Sequence, residues 1–277
     1  MNSTILITGA SSGIGKATAL YFAARGWQVI ASMRDTTDAK AWGDRENIFL
    51  QQLDVCDAHS IEKGIAAGIA KFGKIDVLVN NAGYAQYGIF ESIHEDQMRK
   101  QFEVNVFGVM RTTKAILPHF REQQNGILVN ISSGTGRFTV PLMSLYSATK
   151  FAIEGFSESL AYELKAQNIR VKIIEPGSTA SNFHHTLTAE AAENSTLPDY
   201  EAYRSTLEKR MSEIREKYAT QASTPAAIAQ TIFEAVTDGS DRLRYVAGDD
   251  ILPFIALRTS SSEQEYQETM QKQFSVD

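Results

Sequence analysis

The stretch "TILITGASSGIG", from Thr4 to Gly15, decides the fold. Its first half is a short run rich in β-branched residues, which is typical of a buried strand. Its second half places Gly9, Gly13 and Gly15 directly before a segment of helical periodicity. Glycines at such a turn let a phosphate approach the helix N-terminus, where unpaired N–H groups and the helix dipole favour anions. The stretch therefore predicts a dinucleotide-binding turn at the start of an α/β fold.

Further apolar strands alternate with helical segments beyond this turn. The predicted strands are "QVIAS", "IFLQQLDV", "IDVLVN", "GILVNIS" and "IRVKIIE", and long helical patterns cover residues 95–121 and 146–166. Apolar strands separated by helices require a parallel sheet that is covered on both faces, and right-handed crossovers make that sheet doubly wound. No linker or repeat divides the chain. We predict one Rossmann-like domain over residues 1–277, with an insert at about 178–222 that covers the substrate.

Composition narrows the class of protein. The chain has 277 residues, of which 43% are hydrophobic, and a net charge of −6, so we expect no nucleic-acid partner. Its one cysteine, Cys56, excludes an intrachain disulfide and a multi-cysteine metal site. The N-terminal segment lacks a basic region, and no run approaches the roughly 20 apolar residues that span a bilayer. We therefore expect a cytoplasmic protein without a membrane partner.

A tyrosine and a lysine, Tyr146 and Lys150, lie four residues apart in the segment "SLYSATKFAIEG". On a helix this spacing places both side chains on one face. An ammonium close to a phenol favours the phenolate and lowers the phenol pKa, which is otherwise about 10. The lysine is therefore either a solvated surface charge or a cation held close to the phenol for acid–base chemistry, and a match of these two residues alone is mostly chance.

The glycine spacing G-x-x-x-G-x-G resembles the compact, single-domain branch of the short-chain dehydrogenase/reductase family, and further motifs carry the resemblance. "NNAG" closes the fourth strand, "VNVFG" supplies Asn105 and "PGSTAS" follows the sixth strand. "NISSG" ends the fifth strand and places Ser133 before Tyr146 at the spacing that is usual in the family. Together the motifs extend from Thr8 to Ser181, in the order found in the family.

The resemblance implies an oxidoreductase that transfers a hydride between a nicotinamide dinucleotide and a ketone, an aldehyde or a secondary alcohol. It makes Tyr146 the general acid in reduction and the general base in oxidation, and it makes Lys150 the residue that tunes the phenol and binds the nicotinamide ribose. Ser133 would bind the substrate oxygen, and Asn105 would support a water-linked proton path. The other residues implied to bind the cofactor are Gly9, Ser11, Ser12, Gly13, Ile14, Gly15, Arg34, Asp54, Val55, Asn81, Ala82, Gly83, Pro176, Gly177 and Thr179.

The end of the second strand indicates which cofactor binds. NAD enzymes carry an acid there for the ribose hydroxyls, whereas NADP enzymes carry a base for the 2′-phosphate. By family spacing the acidic position falls on Met33, and Arg34 follows it, so we expect NADP(H). Two alternatives remain open. Asp35, the next residue, could be a ribose acid if the strand is longer, and Arg34 could be a solvated loop charge.

The remaining expectations concern the substrate and the assembly. The apolar segment "FTVPLMSLY" is similar to that of family members that act on bulky ketones, and the resemblance implies a homodimer or homotetramer. The insert is expected to contain a helix that either packs on the domain or closes over the substrate. Its apolar stripe consists of Tyr203, Leu207, Met211, Ile214 and Tyr218. His184 and His185 lack carboxylate or cysteine partners at ligand spacing, so we predict no metal site. The alternative functions are a sugar-nucleotide epimerase or dehydratase, and a non-catalytic dinucleotide sensor on the same fold.

Overall fold

The computed structural model describes residues 2–37, 42–43, 45–179 and 197–275. The strands, in chain order, are β1 (Thr4–Ile7), β2 (Gln28–Met33), β3 (Ile48–Gln52), β4 (Val77–Asn80), β5 (Gly126–Ile131), β6 (Ile169–Pro176) and β7 (Arg244–Ala247). The helices are α1 (Gly13–Ala23), α2 (Ala58–Phe72), α3 (Glu95–Phe102), α4 (Val109–Glu122), α5 (Ser144–Lys165), α6 (Glu201–Tyr218), α7 (Pro225–Thr237), α8 (Leu252–Ser260) and α9 (Glu263–Phe274).

In the described part of the chain, seven strands form one sheet in the order β3-β2-β1-β4-β5-β6-β7, and every pair is parallel. The order reverses between β1 and β4, which is the point where doubly wound sheets bind ligands at the carboxyl ends of their strands. The predicted Rossmann-like α/β fold is confirmed.

Alternating side chains of β1 show how the sheet separates two cores. Ile5 and Ile7 face one layer, where Phe22 of α1 and Ile232 of α7 are fully buried. Leu6 faces the opposite layer, which holds buried side chains from α2, α4 and α5: Ile61, Ile65, Ile116, Phe120, Leu160 and Leu164. Both faces of the central strands are therefore buried, as a parallel sheet requires.

Three features differ from the sequence-based prediction. The strand β7 was not predicted, because "RYVA" is short and half-polar and pairs only with β6 at the sheet edge. The predicted third strand ends at Gln52 and does not include the expected "LDV". The predicted helix over residues 95–121 is interrupted by a π-helical segment, Glu103–Gly108, between α3 and α4. Such segments insert extra backbone into a helix and are frequent at functional sites.

The helix of the insert, α6, packs beside the C-terminal helices. Leu207, within its predicted apolar stripe, is fully buried, and the Tyr218 ring lies 5.9 Å from the Phe254 ring of α8. Arg210 donates from Nε to the Gln273 carbonyl at 3.1 Å. The predicted Ser181, His184 and His185 positions lie outside the described residues. None of the helices within the described ranges combines the length and apolarity that crossing a membrane requires.

Candidate active site

The candidate site lies at the carboxyl ends of β1, β4, β5 and β6. The parallel register places Ile7 beside Val79 and Ile131 beside Ile174, so the segments that follow these strands emerge at one edge of the sheet. The predicted glycine turn, the "NNAG" segment, Ser133 and the Pro-Gly segment all follow these strands directly. The topology therefore brings together motifs that are far apart in the sequence.

The glycine turn is held against the segment after β4. Asn81 donates from Nδ2 to the carbonyls of Thr8 at 2.9 Å and Gly9 at 3.0 Å, and its own N–H donates to the Thr8 hydroxyl at 3.0 Å. Gly9 has φ +66°, and a Cβ there would lie 2.8 Å from Cα of Ala82. A side chain at this position would be strained and would clash with backbone, so the turn requires glycine.

This turn leaves the N-terminus of α1 open to an anion. Within the described residues the N-cap Ser12 makes no side-chain cap hydrogen bond, so its hydroxyl does not satisfy the first N–H groups of the helix. Ser11 and Ser12 are exposed, whereas Ile14 and Gly15 turn toward the core. An exposed helix N-terminus behind a glycine turn suits a pyrophosphate, so these residues fit a dinucleotide.

Ser133 and Tyr146 are hydrogen-bonded to each other through their side chains. Ser133 lies two residues after β5, and Tyr146 is in the first turn of α5, where it is 7% exposed and packs with Ala85, Tyr87 and Met143. Burial raises the pKa of the Tyr146 phenol well above its ordinary value, and the Ser133 hydrogen bond acts in the opposite direction. The buried phenol therefore holds its proton at neutral pH.

Lys150 lies one helical turn beyond Tyr146 and is also buried. Its Nζ donates to the Ile131 carbonyl at 2.8 Å and lies 5.4 Å from the centre of the Tyr146 ring. Burial lowers the pKa of Lys150 to about 8, and the Glu154 carboxylate opposes this change. We expected Lys150 to lower the pKa of Tyr146. The pKa of the phenol is nevertheless raised in this structure, because burial is its largest cause. The tuning of Tyr146 by Lys150 stays a prediction.

Asn105 lies in the π-helical segment between α3 and α4 and is fully buried. It donates from Nδ2 to the Tyr84 carbonyl at 2.7 Å and to Oγ1 of Thr149 at 3.2 Å, and its Oδ1 accepts the Tyr84 N–H at 3.1 Å. Thr149 in turn donates to the Tyr146 carbonyl at 2.7 Å. Asn105 thus connects the segment after β4 with the first turn of α5.

The positions that we expect near the adenosine end lie after β2 and β3. Met33 is the buried last residue of β2, so the exposed Arg34 is the first residue beyond the strand. Asp35 accepts the Thr37 N–H at 2.8 Å, and this hydrogen bond lowers the pKa of its carboxyl group. Asp54 accepts the Cys56 N–H at 2.9 Å, and Val55 is buried beside it.

Sequence reasoning missed two residues at this edge. Thr135 donates its N–H at 3.2 Å and its hydroxyl at 3.0 Å to Oγ of Ser133. Asp250, in the turn after β7, is buried and accepts the Ser178 N–H at 2.7 Å, which fixes the segment formed by Pro176, Gly177 and Thr179. Thr135 could have been noticed because it is the second residue after Ser133. No sequence signal pointed to Asp250.

Comparison with known proteins identifies the family. A model described as short chain dehydrogenase matches residues 3–192. The chain belongs to the short-chain dehydrogenase family. An uncharacterized oxidoreductase from Schizosaccharomyces pombe is 41% identical over 244 residues, which cover 88% of this chain and all of the relative. Retinol dehydrogenase 8 from Bos taurus is 34% identical over 269 residues, which cover 92% of this chain and 84% of that protein.

Solved structures of short-chain dehydrogenases agree with this assignment. A short-chain dehydrogenase from Streptomyces avermitilis aligns with a TM-score of 0.80 and 35% identity over 100% of this chain and 99% of its own. ElxO with NADP bound aligns with a TM-score of 0.73 and 27% identity, and the alignment covers 89% of this chain and 97% of ElxO. The 3-ketoacyl-(acyl-carrier-protein) reductase from Brucella melitensis, complexed with NADH, aligns with a TM-score of 0.73 and 25% identity. The alignment covers 90% of this chain and 98% of that reductase. This short-chain dehydrogenase is thus an oxidoreductase with a fold that binds nicotinamide dinucleotides.

Proposed function

We propose that this short-chain dehydrogenase is an NADP(H)-dependent carbonyl reductase or alcohol dehydrogenase. The observation that carries the proposal is the hydrogen bond between Ser133 and Tyr146, with Lys150 one helical turn away, at the same sheet edge as the glycine turn. A phenol, a serine hydroxyl and an ammonium beside a dinucleotide turn supply the proton donor and the orienting groups that reduction of a carbonyl requires.

The protein's part in the reaction is to bind the carbonyl oxygen and to move one proton. The bound dinucleotide supplies a hydride, which carries two electrons to the carbonyl carbon. Tyr146 donates its proton from Oη to the carbonyl oxygen, and Ser133 donates a hydrogen bond to the same oxygen. Burial keeps the phenol protonated before the substrate arrives, and the Ser133 hydrogen bond, which acts against burial, favours release of that proton.

Lys150 and Asn105 support this proton transfer in the proposal. The Lys150 ammonium would bind the ribose hydroxyls, and its position near the Tyr146 ring favours the negative charge that forms on Oη when the proton leaves. Asn105 holds the backbone of Tyr84 and, through Thr149, the first turn of α5. A water-linked proton path past Asn105 would then restore the proton to Tyr146.

The choice of NADP(H) over NAD(H) rests on Arg34. It is the first residue beyond β2, and its exposed guanidinium can bind a 2′-phosphate through its planar set of donors. Asp35, the alternative ribose ligand, is engaged by Thr37 in its own turn. Met33, which stands at the family's acidic position, is buried and apolar, so it cannot bind ribose hydroxyls.

A bulky, apolar carbonyl compound or secondary alcohol is the substrate class that we propose. Tyr87 and Met143 pack beside Tyr146, and Phe138 and Leu142 are buried in the segment between Ser133 and α5. The similarity to retinol dehydrogenase 8 favours the same class. The stripe of α6 would contribute through Leu207 if this helix closes over the substrate. We further propose a cytoplasmic homodimer or homotetramer.

The test is to mix purified protein with NADPH or NADH and a panel of ketones and aldehydes, from small polar to large apolar, and to follow the absorbance of the reduced cofactor. We expect oxidation of NADPH that is faster with large apolar carbonyl compounds. The Tyr146→Phe variant is the control, since it removes the transferable proton and should bind NADPH nearly as well as the wild type. A phenylalanine variant that turns over at the wild-type rate would refute the mechanism.

A further inference from the structure

The carboxylate of Asp250 lies against the backbone of the Pro-Gly segment that follows β6. The residue is 5% exposed, and its Oδ2 accepts the Ser178 N–H at 2.7 Å. A Cβ on Gly177 would lie 1.9 Å from Oδ1 of Asp250, and a Cβ on Gly248 would lie 2.6 Å from the same atom. Glycine at these two positions therefore admits the carboxylate into contact with the backbone of Gly177.

Among the described residues, this carboxylate accepts a backbone hydrogen bond from Ser178 and has no paired cation. Within the described ranges no cation lies within 4.0 Å of Asp250, and its buried Oδ1 has no hydrogen-bond partner. Glu175, two residues before Gly177, shows the contrast. It is fully buried, but Arg137 lies 2.8 Å away and Arg244 lies 3.5 Å away.

A buried charge without a partner destabilises a folded protein, because it has lost its hydration without gaining an opposite charge. A cation that binds nearby would supply the opposite charge. The oxidised nicotinamide ring carries a positive charge that the reduced ring lacks. In the proposed function this ring lies beside Pro176 and Gly177, and the Asp250 carboxylate lies against Gly177.

We propose that Asp250 favours the oxidised over the reduced dinucleotide and so promotes the direction of carbonyl reduction. This inference rests on the proposed function. The Asp250 carboxylate would stabilise the positive charge that the oxidised ring carries and the reduced ring lacks. The oxygen Oδ1 is covered from solvent, so Asp250 acts through space and not by direct contact. The Lys150 ammonium would disfavour the positively charged oxidised ring, so the two side chains together would set the relative affinity for the oxidised and the reduced dinucleotide.

The test compares the dissociation constants of NADP+ and NADPH for wild type, Asp250→Asn and Asp249→Asn by titration calorimetry. The asparagine at 250 keeps an acceptor for the Ser178 N–H and removes the charge, and its amide NH2 group takes the place of Oδ1. Asp249 is the exposed neighbour, so its variant makes the same charge change in the solvent. Two unit charges up to about 10 Å apart, at an effective dielectric constant of about 20, interact strongly enough to change a dissociation constant at least about tenfold. In Asp250→Asn, the ratio of the NADP+ to the NADPH dissociation constant should therefore increase about tenfold.

Several outcomes would overturn the assignment. An unchanged affinity ratio in Asp250→Asn, whether both affinities stay constant or fall together, would leave Asp250 with a purely structural role. A ratio that shifts equally in Asp249→Asn would show a general charge effect. If Asp250→Asn does not fold, Asp250→Ser provides the same neutral test. If the wild-type protein binds no dinucleotide, the proposed function is refuted instead. If the wild-type protein prefers NAD+, the same dissociation constants are compared for NAD+ and NADH.

Discussion

Thr135 donates two hydrogen bonds to a single atom, Oγ of Ser133, from its backbone N–H at 3.2 Å and from its hydroxyl at 3.0 Å. A hydroxyl oxygen has one proton and two acceptor lone pairs. Because Thr135 fills both acceptor positions, the Ser133 hydroxyl can only donate. Its donation to Tyr146 favours the phenolate and acts against the effect of burial on the pKa of Tyr146. In the proposed mechanism the same donation would be directed at the substrate oxygen.

Replacing Thr135 with valine should therefore impair turnover more than substrate binding. The isosteric variant keeps the backbone N–H bond and loses the hydroxyl bond, which is worth about 0.5–1.5 kcal/mol, so kcat should fall about two- to twelvefold. Steady-state kinetics with one ketone would measure kcat and KM separately. Thr135→Ser keeps the hydroxyl and should restore kcat. An equally slow serine variant would show that packing, not the hydrogen bond, matters here.

Cofactor affinity should depend on pH through Lys150. Because burial lowers its pKa to about 8, the ammonium is present below that pH and is lost as the pH rises through it. If the ammonium binds the ribose hydroxyls, the dissociation constant of NADPH should increase above about pH 8. Fluorescence titrations across this range would measure it. Lys150→Met should bind NADPH weakly and without this pH dependence, and a wild-type affinity in that variant would exclude ribose binding by Lys150.

The cofactor preference should depend on Arg34. Removing its guanidinium in Arg34→Ala should weaken NADPH by about 1.5–3 kcal/mol, a factor of about 10 to 100, and should leave NADH almost unchanged. Arg25→Ala makes the same charge change beyond the other end of α1 and should affect neither cofactor. Binding of NADH to the wild type as tightly as NADPH would contradict the prediction and would direct attention to Asp35.

The stability of the sheet edge should depend on Lys172. This lysine of β6 is fully buried, and its Nζ donates to the carbonyls of Ser240 at 2.6 Å and Arg242 at 2.9 Å and to the Tyr245 hydroxyl at 3.0 Å. Lys172→Met leaves these acceptors unpaired and should lower the free energy of unfolding by about 3–5 kcal/mol. Thermal unfolding would measure the loss. The exposed Lys165→Met, which loses only a surface ion pair, should change stability by less than about 1 kcal/mol.

Subunit association should involve the outer face of α5. Phe151 and Tyr162 on this helix are 41% and 75% exposed, and a Cβ on Gly155 between them would meet no atom within 4 Å. Gly155→Arg should therefore fold normally and yet block close approach of a second helix. Light scattering at micromolar concentration should show an oligomer for the wild type and for the control Glu234→Arg on α7, and a smaller mass for Gly155→Arg. A monomeric wild type would refute the interface.

Local patterns predicted most of the fold. Strand and helix periodicity is a property of neighbouring residues, so the bounds of β1, β2, β5 and β6 were predicted closely, and the carboxyl-end clustering of motifs followed from parallel topology. The strand β7 was missed because its short sequence owes its conformation to pairing with β6. The π-helical segment at Asn105 was missed for a similar reason, since helical periodicity does not reveal a local change to π-helical hydrogen bonding.

The amino-acid sequence by itself determined the family, the glycine turn and the identity of the residues that we propose for catalysis, because all three depend on residue type and spacing. Only the tertiary structure decided the pKa values of these residues, because burial depends on packing. Burial raises the pKa of Tyr146 and lowers that of Lys150. Ala85 and Tyr87, which help to bury Tyr146, are distant from it in sequence. The buried carboxylate of Asp250 lies against Gly177 because β7 pairs with β6, which brings the turn after β7 into contact with the segment after β6.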